Sequence, residues 1–212
     1  VDLTAAFRDV PRVGRVRGCT HCYTDDQLAL LGGDPDRVPD DLLRHFAWKS
    51  WRHWPEEQYP ALWRGLAPRI LALLADEPDT RYLSNLAGAA FATWPDHQRQ
   101  AFRTAVCELV DRAVTGDRST HDLDELVCAA AHLDHDLAPW LAHLDTLGPD
   151  ADAGLARLAE HWAASQSLPI LWWHPPDGFA PVRAWLHSGP LYDRLDRANA
   201  LTALEAITDM WP

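Results

Sequence analysis

The sequence predicts an all-α protein: a short stack of antiparallel helical hairpins behind an irregular N-terminal arm. Three observations carry that expectation. Apolar residues recur at helical spacing through most of the chain. A block beginning near residue 40 recurs, position for position, forty residues later. Capping residues and Gly or Pro punctuate the ends of the periodic segments.

Residues 1–23 show no period and carry Pro11, Gly14 and Gly18, so they read as an arm. Thr24-Asp25-Asp26-Gln27 matches a capping box, with Thr24 as N-cap and Gln27 reaching back. The helix it opens should run through Leu31 and stop at Gly32-Gly33, closing an N-terminal section over 1–37. Asp40 is the expected N-cap of the next helix, on which Leu42, Leu43, Phe46, Ala47, Ser50, Trp51 and Trp54 share one face. Adding forty gives Tyr82, Leu83, Leu86, Ala87, Ala90, Phe91 and Trp94, and Trp54-Pro55-Glu56 becomes Trp94-Pro95-Asp96. The second helices match too: Ala61, Leu62, Leu66, Ile70 and Leu74 map onto Ala101, Phe102, Val106, Val110 and Val114.

Two repeats therefore span 38–78 and 79–118. A degenerate third spans 119–149, its turn rewritten as Asp134-His135-Asp136 and its second helix running from Ala138 to Leu147. Residues 150–212 are read as C-terminal helices and a cap: a helix over 151–165, a Pro- and Trp-rich stretch, and a last helix from Leu191 to Ile207. The whole reads as a single all-helical domain.

A helix–turn–helix unit of this length has the period of HEAT and armadillo repeats, about 40–47 residues. Across 38–165 the pattern resembles HEAT-like helical-repeat proteins. The resemblance implies a curved stack of helix pairs and no particular activity. Around Cys19, His21 and Cys22 the chain also resembles bacterial proteins with an early Cys-x-His-Cys segment.

The net charge of −12 argues against nucleic acid as a partner, because an acidic body repels phosphate. Arg8, Arg12, Arg15 and Arg17 form one local basic stretch, expected to lie on the acidic body or in solvent. No apolar run is long enough to span a membrane, and the first twenty residues lack the apolar core of a secretory signal. The four cysteines lack the dense spacing of a secreted disulfide scaffold, so a cytoplasmic location is expected.

Cys19-Thr20-His21-Cys22 is the short motif with a mechanism. Two thiolates at C-x₂-C spacing can grip one zinc, and a structural zinc needs four ligands, so others must come from elsewhere. His45 and His53, near the first repeat, are the first candidates; His21, His97, His132 and His135 follow. Zinc suits a Cys/His set, with copper and iron as alternatives. Cys107 and Cys128 read as small apolar core residues. His121, His132 and His135 with their neighbouring acids form the densest His/carboxylate cluster but lack a Glu-x-x-His pair. Trp48, Trp172, Trp173 and His174 are candidates for a binding surface.

Several catalytic signatures are absent: no G-x-S-x-G, P-loop, G-x-G-x-x-G or H-E-x-x-H occurs. The expectation is a metal-binding scaffold that holds a protein or peptide partner, or a small molecule in a Trp-lined pocket. A small metalloenzyme and a dithiol redox sensor are the alternatives.

Overall fold

The computed structural model describes residues 2–169 and 178–210. Among them the regular structure is entirely helical, with eleven α-helices joined by turns and short 3-10 segments. No helix of the described residues is long and apolar enough to cross a membrane. The chain divides into two compact units, Val1–Glu77 with Arg81–Val106, and Pro78–Thr80 with Cys107–Pro212.

The first unit contains α1 (Leu3–Phe7), α2 (Asp25–Gly32), α3 (Asp40–Trp48), α4 (Tyr59–Asp76) and the first half of α5 (Asp96–Thr115). The capping box forms as expected: Thr24 Oγ1 accepts from the Gln27 amide and Gln27 Oε1 from the Thr24 amide. Helix α4 supplies the core through Leu62, Trp63, Leu66, Ile70 and Leu74, all nearly fully buried. Burial of each such side chain is worth about 1.5–3 kcal/mol. Arg69, on the same helix, fixes the approach to α3 by donating to the Pro35 and Val38 carbonyls and to Asp40 Oδ1 at 2.6–3.1 Å.

Three expectations change here. Pro39, not Asp40, is the N-cap of α3, and Asp40 instead serves Arg69. The helix expected to reach Trp54 stops at Trp48: Lys49 turns extended, and Ser50 Oγ caps a new 3-10 turn over Trp51–His53. The corresponding 3-10 turn recurs forty residues later at Phe91–Thr93. Yet the first helix of that second copy does not form. Residues 80–90 run through a 3-10 segment and turns. Two contacts hold them there. Asn85 Nδ2 donates to the Ala47 carbonyl at 2.9 Å, and Gly88 lies so close to Trp51 that a Cβ would sit 2.3 Å from its Cγ. The segment ends with Ala90 in the left-handed region at φ 52°, and the Phe91 amide closes back on the Leu86 carbonyl.

The second unit contains the rest of α5, then α6 (Thr120–Ala131), α7 (Ala138–Thr146), α8 (Asp152–Ser165), α9 (Ala180–Leu186), α10 (Gly189–Arg197) and α11 (Leu201–Thr208). Helix α8 is its centre, packing on α6 and α11 and burying Leu155, Leu158, Ala159 and Trp162. Gly154 lets α8 meet the end of α5 closely, since a Cβ there would fall 2.0 Å from the Val114 carbonyl oxygen. The rewritten turn closes with His135 left-handed at φ 53° and Asp136 Oδ1 accepting from the Ala138 amide.

The last helix, expected to run unbroken from Leu191 to Ile207, is two helices. Asn199, at φ 55°, ends α10: its amide bonds to the Asp196 carbonyl and that of Ala200 to the Leu195 carbonyl. That is a Schellman closure, and asparagine tolerates it better than most residues. Arg194 is buried beside it, paired with Asp152 and donating to the Leu144 and Gly148 carbonyls. It thereby adds a second donor to two carbonyls that already accept the Leu147 and Ala151 amides, and ties the α7–α8 connection to α10.

Candidate metal centre

Two sequence neighbours bring the site together. Cys22 is followed by Tyr23, and His53 by Trp54. Tyr23 and Trp54 are both buried, their rings 4.8 Å apart, and Trp54 also packs on Phe46 and Tyr59. Docking the aromatic pair sets the residue before each one at the surface above it. The arm reaches this position because residue 18 is glycine. A Cβ there would come within 2.7 Å of Leu28 and 2.8 Å of Trp54. Upstream, the Arg17 amide donates to Gln58 Oε1 at 2.9 Å and the Arg17 side chain pairs with Glu57.

From Gly18 the chain makes a tight turn. The Cys22 and Tyr23 amides both donate to the Cys19 carbonyl, at 2.9 and 3.0 Å. The result is a cluster in which the ligating atoms of Cys19, Cys22 and His53 all lie within 4.8 Å of one another. The Cys22 sulfur is 3.9 Å from His53 Nδ1. Both cysteines are half-buried and His53 is exposed, so the cluster opens to solvent. Tetrahedral zinc with the usual bond lengths holds its ligand atoms about 3.7 Å apart. A contraction of about 1 Å or less would therefore close these three donors on one ion.

The electrostatics favour a thiolate at Cys19. The Cys19 thiol is lowered to about 6, mainly by its hydrogen bond with the His53 side chain and then by the His21 backbone amide. Cys22 moves upward, because its hydrogen bond with Cys19, burial and the Cys19 charge all oppose a second thiolate; Lys49 works against this. Tyr23 is also raised, first by burial and then by the two cysteines. A divalent ion would remove the conflict by neutralising both sulfurs.

Among the described residues, His53 is the histidine whose ring joins this group. His45 instead sets its ring edge-on to Tyr23 at 5.0 Å, and its carbonyl accepts from the Tyr23 hydroxyl. Burial and Lys49 both lower its pKa. His21 is exposed on the turn and contributes its backbone amide. His97 is exposed in the first turn of α5. In the second unit, His132 is buried at the end of α6 and His135 is exposed in the left-handed turn. Trp48 stands half in solvent, with the Arg81 guanidinium 4.1 Å from its ring centre and Tyr82 stacked beside it. Trp172, Trp173 and His174 lie outside the described residues.

Asp124, read in the sequence as one of the acids beside His121, His132 and His135, instead joins Trp162, Cys128 and His161 in a polar cluster of the second unit, a grouping that did not stand out in the sequence. Asp124 is buried and accepts from Trp162 Nε1 at 2.7 Å and from the Cys128 thiol at 3.6 Å, while His161 Nε2 lies 3.4 Å from its other oxygen. Burial pushes the Asp124 carboxyl up, and burial together with that carboxylate pushes the Cys128 thiol well up. The available signal was an acid four residues before a cysteine, among the inward-facing Leu123, Leu126 and Val127. Comparison with protein-family models, curated proteins and solved structures returns no match.

Proposed function

We propose that this chain is a zinc-binding helical-repeat protein in which Cys19, Cys22 and His53 hold the ion and so clamp the N-terminal arm onto the first repeat. The observation that carries the reading is the convergence of three ligand atoms from two segments thirty-one residues apart. Two thiolates and an imidazole suit zinc, and the cluster's opening to solvent would leave room for a water or an incoming donor as the fourth ligand. The body serves as a HEAT-like scaffold for a protein or peptide partner. That part rests on the forty-residue correspondence and on Trp48 and Trp51, each more than a third exposed. A second reading, a small metalloenzyme, draws on the same three-ligand set, since catalytic zinc keeps an open position.

Metal analysis of purified protein tests the proposal. About one equivalent of zinc is expected, abolished by Cys19→Ser with Cys22→Ser and strongly weakened by His53→Ala, while His45→Ala keeps it. X-ray absorption should show two sulfur ligands and one imidazole. Protein that binds no zinc, or binds it equally well without the two cysteines, overturns the reading.

A further inference from the structure

The same cluster has the geometry of a second chemistry, and this inference rests on the zinc reading. We propose that the Cys19–Cys22 pair is a site of oxidative modification, at which a hydroperoxide closes a disulfide and expels the metal.

The turn carries the geometry. The hydrogen bond from the Cys22 amide to the Cys19 carbonyl makes residues 19–22 a β-turn, which holds its end Cα atoms within about 7 Å. Disulfides span Cα separations of about 4.4–6.8 Å, so the backbone is already at bridging distance. The two sulfurs are within 4.8 Å of each other, and rotation about the side-chain bonds covers the rest. Both are half-buried at an open surface, accessible to a small peroxide, whereas Cys128 is fully enclosed. His53 comes from a separate turn and cannot retain zinc alone once both sulfurs are consumed.

The reaction balances in two steps. One thiolate sulfur attacks a peroxide oxygen, the O–O bond breaks, and a sulfenic acid forms as hydroxide or alkoxide leaves. The second sulfur attacks the sulfenic sulfur; the S–S bond forms, the S–O bond breaks, and the departing hydroxide takes up a proton to become water. The two sulfurs together give two electrons to the peroxide, and zinc leaves unchanged in charge.

The test uses the full zinc-loaded chain and stoichiometric hydrogen peroxide. Released zinc is followed with a chromogenic chelator, and disulfide formation by intact mass after alkylation of the remaining thiols. One zinc released per disulfide is expected, with the bridge mapped to Cys19–Cys22 and a dithiol reductant restoring binding. Cys107→Ser should respond as the parent does. Zinc retained through peroxide, or released with sulfinic acid in place of the bridge, overturns this inference and leaves the metal reading standing. A chain that loads no zinc overturns both.

Discussion

Cys22 in the first unit and Cys128 in the second each have a polar partner within 4 Å, His53 Nδ1 at 3.9 Å and Asp124 Oδ1 at 3.6 Å. Their environments make them chemically opposite. The first sits in a solvent-open cluster whose imidazole and backbone amides draw its neighbour Cys19 down to about 6. The second is enclosed beside a carboxylate that must itself be held by Trp162 and His161. An open cysteine pair beside donors is suited to ligation or nucleophilic attack through its lowered member, Cys19; an enclosed cysteine beside an acceptor is suited to weak hydrogen-bond donation in a core.

Metal removal should produce the largest separation between these environments. With free zinc at a thousand times its dissociation constant, binding adds about 4 kcal/mol to stability. Chelation should therefore lower the unfolding midpoint of the parent and leave the Cys19→Ser/Cys22→Ser protein unmoved. Asp124→Ala comes next. It strands the buried Trp162 Nε1 and opens a hole, so denaturant unfolding should show a loss of about 3 kcal/mol with zinc content unchanged. Gly18→Ala forces a methyl against Leu28 and Trp54. It should cost about 2 kcal/mol and weaken zinc binding, through displacement of the turn and without touching a ligand.

Smaller effects follow pH and backbone strain. In the metal-free protein, iodoacetamide should label Cys19 with a midpoint near its lowered value of about 6, while Cys128 reacts only on unfolding. The linkage has a definite sign. Cys19 is depressed in the folded state, so its contribution to stability is complete above its ordinary value of 9.0 and is lost as pH falls through about 6. Asp124 is raised, so its contribution runs the other way, declining as pH rises above the ordinary carboxylate value. Ala90→Gly relieves a left-handed alanine and should gain about 0.5 kcal/mol, read as a slightly higher denaturation midpoint.

The helical class, the capping box and the long helices α4 and α5 were legible because they rest on local sequence. The places where helices break were less so. Nothing local in residues 80–90 forbids a helix; Asn85 and Gly88 are recruited by Ala47 and Trp51, which lie about forty residues away in sequence. The break at Asn199 had a local cue, since asparagine accepts the left-handed region. For the candidate site, C-x₂-C named the two cysteines of the cluster, and the forty-residue correspondence placed His53 and His45 near the first hairpin. The choice between them depends on Tyr23, whose ring lies between Trp54 and the His45 ring in a contact no sequence spacing encodes.

The contact between Cys22 and His53 has a meaning for the unfolded chain as well. A metal bridge there closes a loop of thirty-one residues. In a chain-entropy treatment, a cross-link of that length removes about 3.7 kcal/mol of conformational freedom from the denatured ensemble. An ion retained on the unfolded chain would thus act as a topological constraint that shortens the slack of the N-terminal quarter, in place of the native-state binding gain. Pulled from its N-terminus, such a chain should first give up the packing of Phe7, Val10 and Val16 and the Arg17 contacts with Gln58 and Glu57, and then stop at the bridge. The residues inside the loop would stay shielded until the metal–sulfur bonds part.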